Sequence, residues 1–174
     1  IKPEKWFVRY TDINNNFEIN DVKIIDYGSA FYITNPSPLI SNTPEYLCPE
    51  ITLNNKEFIK ELNHNKFINS IDIWSVGILL LELCLCCPVW MSYKTKILIN
   101  GKYNHNLGYF GCKGRDGNKI CQKQMELQQN LNKILNNSMI YMFNKEDQEL
   151  FIDLLEKMLT CDYSKRSSTK DALK

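Results

Sequence analysis

The sequence predicts an α+β fold that is mainly helical, with a short β-hairpin near the amino end, and three stretches carry that prediction. Ile71 to Cys87, IDIWSVGILLLELCLCC, is the longest apolar run and is apolar on every side, the pattern of a helix surrounded by protein or lipid. Leu150, Phe151, Leu154, Leu155, Met158 and Leu159 recur at helical spacing and define a second helix with one apolar face. Trp6 to Tyr10 and Val22 to Ile25 are short apolar runs on either side of a polar stretch, Asp12 to Asn16, that suits a turn; they read as two short strands.

A helix over the central run rises about 25 Å, short of the ~30 Å hydrocarbon core of a bilayer, and it carries Asp72 and Glu82. It is therefore read as a core helix. Asn69 or Ser70 can accept a bond from its first free amides and Pro88 cannot continue its ladder, so it runs from near Ser70 to near Cys87. Asp72 suits the positive end of the helix dipole, but beside Trp74 it needs a polar partner from another segment. Residues 52–69 are polar and read as a surface insertion with a short helix. Val89 to Asn100 is expected to hold another short helix, and 101–121 to be a loop or surface insertion. Gly111, Gly114 and Gly117 follow no strand of a βαβ unit and read as turns, not as a phosphate cradle. Gln122 to Leu135, with Met125, Leu131, Ile134 and Leu135 near one face, predicts a helix. Asn144 caps the next, with Glu146 and Asp147 in its first turn, and Ser168 with Asp171 forms a capping box for a final one.

The 174 residues are 44% apolar, enough for the core of one ordinary domain and too apolar for disorder throughout. A net charge of +1, from 21 basic and 20 acidic residues, gives no reason to expect nucleic acid or membrane insertion. Seven cysteines, odd in number, irregularly spaced and largely in apolar surroundings, do not form a disulfide framework and suggest a reducing, cytoplasmic setting. Cys84/Cys87 and Cys112/Cys121 lack a matched second pair or a nearby histidine, so buried thiols are preferred to zinc. No signal or transit sequence is seen, and the start at Ile1-Lys2-Pro3 is that of a fragment.

Directly after the second strand comes Asp26-Tyr27-Gly28, a carboxylate at a strand end followed by a permissive glycine. Alone, an Asp near a Gly is usually a turn. In order along the chain, however, stand IKPEK at the start, VKIIDYGSA at 22–30, TPEYLCPE at 43–50, DIWSVGILLLEL at 72–83 and Asp162-Tyr163-Ser164-Lys165-Arg166. Together these resemble the C-terminal lobe of eukaryotic protein kinases of the serine/threonine type, over most of residues 1–174, with 101–140 the least matched part. The expected fold is thus protein-kinase-like (α+β), with the N-terminal lobe and the start of the catalytic loop absent.

The resemblance implies roles that suit phosphoryl transfer, which needs charge neutralised on the transferring group and the nucleophile held in line. Asp26 takes the place of the aspartate that holds Mg²⁺ against the phosphates of ATP, and Lys2 that of the catalytic-loop lysine near the transferred phosphate. The catalytic aspartate of the pattern would fall immediately before Ile1. Thr43 matches the threonine of the substrate-positioning loop. Glu50 matches a glutamate that pairs with a distant arginine, for which Arg166 stands in place. Asp72 would bond backbone amides of the catalytic loop. Thr34, Ser37 and Ser41, with Tyr32, lie in a segment resembling an activation loop, where phosphorylation or an ordinary exposed loop are both open readings. Two departures stand out. Tyr27 replaces the usual phenylalanine, so a hydroxyl needs water or a partner, and Lys5 replaces the asparagine that ligates a second magnesium, although an ammonium has no lone pair to give.

Two functions therefore remain in view. The first is a serine/threonine kinase that, when complete, moves the terminal phosphate of ATP to a hydroxyl of a protein substrate; the fragment alone lacks the Gly-rich loop and the ATP-binding lysine and is not expected to catalyse. The second is a pseudokinase, a binding or scaffold module, favoured by Lys5.

Overall fold

The computed structural model describes residues 5–14, 16–28, 30–32, 46–53, 60, 69–86, 89, 96–99, 102–105, 117–136, 138, 140 and 143–172. Strands β1 (Trp6–Ile13) and β2 (Asn16–Ile24) form an antiparallel hairpin. The strands run well past the apolar runs, because an antiparallel ladder satisfies the backbone of Thr11 to Ile13 and Asn16 to Asp21 whatever their side chains. The ladder closes at Ile13 with Asn16, and Asn14 is in the left-handed region at φ 56°, a conformation asparagine tolerates. Trp6 faces Ile24, Val8 faces Val22 and Tyr10 faces Ile19, so one face of the hairpin is apolar until Asp12, opposite Phe17, near its tip. An irregularity between Arg9 and Tyr10, where Asn20 is left over in the pairing, keeps that face in step.

Helix α1 (Pro49–Thr52) is one turn, opened by a proline whose missing N–H costs nothing there. Helix α2 (Ser70–Leu85) is the central run. It starts at the expected place, but Asn69 makes no side-chain cap and the Ser70 hydroxyl has no partner among the described residues. Instead the carbonyl of Ser70 is drawn into the Arg166 cluster described below. It ends when Cys86 turns left-handed at φ 51°. The helix is not enclosed all round: Asp72, Leu83 and Cys86 are exposed and fall on one side of it, while Trp74, Ile78 and Leu81 are fully buried.

Strands β3 (Lys96–Ile99) and β4 (Lys102–His105) form a second antiparallel pair where a short helix and a loop were expected. Helix α3 (Gly117–Leu135) begins inside the expected loop, five residues ahead of its predicted start at Gln122. It does so because Ile120 and Cys121 continue the buried face of Leu127, Leu131 and Ile134 back by two turns. Met125, assigned to that face, is instead half exposed. Helix α4 (Lys145–Met158) starts where predicted, the Asn144 side chain accepting from the Asp147 amide at 2.9 Å. Helix α5 (Thr169–Ala172) carries the capping box, the Asp171 amide donating to the Ser168 hydroxyl at 3.2 Å and that hydroxyl to the Asp171 carboxylate at 2.6 Å.

One core joins these helices. Trp74, Ile78 and Leu81 of α2 pack with Leu127, Leu131 and Leu135 of α3 and with Leu155 and Leu159 at the end of α4. Each such side chain stabilises the fold by about 1.5–3 kcal/mol through area removed from water. At Gly77 the approach is closest: a Cβ there would stand 2.8 Å from Leu159 Cδ2 and 3.2 Å from Met158 Cβ. The expected insertion at 52–69 lies outside the described residues beyond Leu53 save for Lys60 and Asn69, as do Pro88 and the loop of Gly111 and Gly114.

Candidate functional site

The base of the hairpin sets the first part of the site. The Ile25 amide donates to the Lys5 carbonyl at 2.7 Å, continuing the ladder one pair beyond Trp6 and Ile24 and placing Lys5 beside the residue that follows Ile25. That residue, Asp26, is left-handed at φ 63°, a conformation that most residues avoid but aspartate, like asparagine, adopts at little cost. Its Oδ1 accepts from the Gly28 amide at 3.3 Å, and its Oδ2 is in contact with the Lys5 ammonium. The pair is only partly covered, with side-chain exposures of 31% for Lys5 and 52% for Asp26. Tyr27 is 67% exposed, so its ring is not packed away and its hydroxyl reaches solvent.

The second part is an anchored loop. Glu50 and Arg166 form a two-pronged ion pair, Nη1 to Oε1 at 2.6 Å and Nη2 to Oε2 at 2.9 Å, with both side chains buried. The remaining guanidinium donors go to carbonyls of Thr160 (2.9 Å), Ser70 (2.9 Å) and Cys161 (3.4 Å), and the group lies 5.1 Å from the Trp74 ring centroid. Burial works against the Arg166 charge, but the hydrogen bonds to Glu50 and its carboxylate charge outweigh it and hold the pKa above its ordinary value. Burial, then the neighbouring Glu50 charge, pushes the Cys48 thiol well up. Ahead of Glu50, the Ser75 hydroxyl donates to the Tyr46 carbonyl at 2.9 Å, the Tyr46 hydroxyl donates to Glu82 Oε2 at 2.9 Å, and Gln124 Nε2 donates to the Leu47 carbonyl at 2.8 Å. Segment 46–50 is thereby tied to α2, to α3 and to the loop carrying Arg166.

Of the residues singled out from sequence, the structure brings together Glu50 with Arg166 and Asp26 with Lys5. Asp72 lies exposed in the first turn of α2. Lys2, Thr34, Ser37, Ser41 and Thr43 lie outside the described residues. Sequence reasoning did not find Ser75, Glu82 or Gln124. An acid inside an apolar helix was the available signal for Glu82; nothing in the sequence marked Gln124.

A two-metal arrangement does not fit these groups. Asp26 offers one carboxylate, already facing a cation, Lys5 has no lone pair, and among the described residues no cluster of three His, Cys, Asp or Glu side chains could hold a metal ion.

The candidate site thus has two parts, a hairpin that ends in an aimed carboxylate and a segment anchored to the helical core through a buried Glu–Arg pair. The protein kinase domain family matches the chain over residues 1–174, and the chain belongs to that family. Among curated proteins it is 35% identical over 92 residues to a serine/threonine-protein kinase of Drosophila persimilis, covering 53% of this chain and 10% of that one. A serine/threonine-protein kinase of Drosophila pseudoobscura pseudoobscura matches at the same 35% over 92 residues, again 53% of this chain and 10% of that protein. It is 26% identical over 76 residues to mitogen-activated protein kinase kinase kinase 3 of Arabidopsis thaliana, covering 42% of this chain and 11% of that one. The chain thus spans about a tenth of the length of the curated relatives it matches. Members of the family generally use ATP and Mg²⁺. Among the described residues no helix is long and apolar enough to cross a membrane, and Cys48, Cys84, Cys121 and Cys161 are thiols.

Proposed function

We propose that this chain is the C-terminal lobe of a serine/threonine protein kinase, whose complete form transfers the terminal phosphate of ATP to a hydroxyl of a protein substrate in a reducing, intracellular compartment. The observation that carries the reading is Asp26: a carboxylate at a strand end, left-handed, fixed by the Gly28 amide and still open to solvent. The bond to Gly28 closes an Asx-turn and leaves the second oxygen of the carboxylate exposed at the strand end, a placement that suits a group working on bound phosphates. Lys2, on the segment leading into β1, would offset charge on the transferred phosphate, and Thr43, just ahead of the anchored 46–50 segment, would help position the substrate. Thr34, Ser37 and Ser41 are candidate regulatory hydroxyls in the segment between them. In the family arrangement Asp26 would hold a metal ion, and here the Lys5 ammonium stands on that carboxylate.

Turnover of ATP by the full-length protein tests this. Asp26→Ala should lower the rate about 10²-fold or more, the usual loss when a group stabilising transition-state charge is removed. Equal rates in wild type and variant would remove Asp26 from the mechanism.

One observation favours the pseudokinase alternative: the Lys5 ammonium already occupies one oxygen of Asp26. Under that reading the fold serves as a binding or scaffold module, and wild-type protein turns over no faster than Asp26→Ala.

A further inference from the structure

Among the described residues the contact between Lys5 and Asp26, like that between Glu50 and Arg166, joins segments far apart in sequence, unlike the ion pairs within one helix or turn. Lys123 with Glu126, Lys157 with Asp153 and Lys165 with Asp162 join residues three or four apart on one helix or turn, where proximity comes without cost. Lys5 and Asp26 meet only because the whole hairpin folds between them, and three separate features aim the meeting. The Ile25 to Lys5 hydrogen bond fixes the two chain segments side by side. The left-handed backbone at Asp26 turns its side chain toward that neighbour. The Gly28 amide takes Oδ1, which leaves Oδ2 for the ammonium.

A carboxylate facing the phosphates of a nucleotide repels them unless a cation stands between. In the family arrangement that cation is a metal, bridged by the aspartate and by an asparagine at the position Lys5 holds here. An ammonium carries three donors and no acceptor. With one donor on Asp26 it has two left for phosphate oxygens, and at 31% exposure it is open to receive them.

We propose that Lys5 is a built-in counter-ion that bridges Asp26 to the nucleotide phosphates, so that this protein binds ATP without a divalent cation. The proposal rests on the nucleotide-binding part of the reading above and is independent of whether transfer occurs. Its consequence is specific: metal dependence belongs to residue 5 and can be put back by one substitution.

The test uses the full-length protein and measures the dissociation constant of ATP by titration calorimetry, in Mg²⁺ and again in EDTA. Wild type should bind within about threefold in the two conditions, the change expected when a partly exposed cation rather than the metal holds the phosphates. Lys5→Asn should bind at least about tenfold more weakly in EDTA than in Mg²⁺, and Lys5→Met should lose binding in EDTA by a similar factor, the loss of one charge-assisted hydrogen bond. Lys5→Arg, which keeps charge and donors, should retain binding in EDTA and shows that the effect is not one of folding. Titration with Mn²⁺ alone, followed by the electron spin resonance of the free ion, should show uptake by Lys5→Asn and little by wild type. Wild-type binding as metal-dependent as that of Lys5→Asn overturns the proposal while leaving kinase activity intact. Absence of transfer together with binding in EDTA overturns the enzyme reading and leaves this one standing. ATP binding in neither condition removes both.

Discussion

Arg166 shows at the scale of one residue why a charge can be buried and yet hold a fold together. Its donors are all engaged, two on Glu50 and the others on carbonyls of Thr160, Ser70 and Cys161. Removing the guanidinium leaves Glu50, which is 3% exposed, charged and without its counter-ion. Arg166→Ala should therefore cost about 3–5 kcal/mol, read as the fall in urea unfolding free energy. Replacing both partners at once, Glu50→Leu with Arg166→Met, should cost less than Arg166→Ala alone, because no orphaned charge remains. A double variant as unstable as the single one would show that packing around Trp74, not charge, sets the penalty. The pairing of residues 50 and 166 was legible only through the family resemblance, since nothing local links positions 116 apart. Lys5 was legible as a departure but not as a partner of Asp26. Their meeting depends on the left-handed backbone at Asp26, which an aspartate permits but does not dictate.

The elements divide by how local their causes are. Helix α4 was read to its first residue because Asn144, Glu146 and Asp147 encode the start within four positions, and the structure uses the same atoms. The second hairpin was missed although Asn100-Gly101, a strong hairpin signal, separates the two paired strands, Lys96–Ile99 and Lys102–His105. A short apolar run such as Ile97 to Ile99 fits helix or strand alike, and only the flanking turn tells them apart. Helix α2 was found, but not the neighbour that sets its sequence. Gly77 looks like a weak point in a helix, costing about 1 kcal/mol against alanine by propensity alone. Its use is the close approach of Leu159 and Met158. Gly77→Ala should thus destabilise by about 1–3 kcal/mol despite its better helix propensity, because the Leu159 side chain or the helix end must shift. Pairing it with Leu159→Ala should lower the combined penalty below the sum of the two, measured in a double-mutant cycle. Additive losses would place the strain elsewhere.

Across the whole molecule the thiols give the fold a directional sensitivity to alkali. Cys161 is pushed up to about 11 from an ordinary 9.0, first by burial and then by the neighbouring Cys121, with the charge of Arg166 acting in the opposite sense. Burial also raises Cys48, Cys84 and Cys121, so four thiols in or beside one core resist ionisation together. In the unfolded chain these groups lose protons near their ordinary value, while in the folded chain they keep them. Below pH 9 both states hold the proton and the thiols are neutral to stability. As pH rises from 9.0 toward 11 the unfolded state alone gains by ionising, and the folding free energy falls. The urea midpoint of the reduced protein should therefore be flat in its thiol contribution below pH 9 and drop between pH 9 and 11. Cys161→Ala should flatten part of that drop while lowering the midpoint at pH 7 only by the lost packing. Iodoacetamide should follow the same order, leaving Cys161 largely unmodified at pH 9 in native protein and alkylating it readily in 8 M urea, as read by peptide mass. Rapid labelling of Cys161 under native conditions at that pH would mean that the core around Trp74 and Arg166 opens far more often than its packing and hydrogen bonding allow.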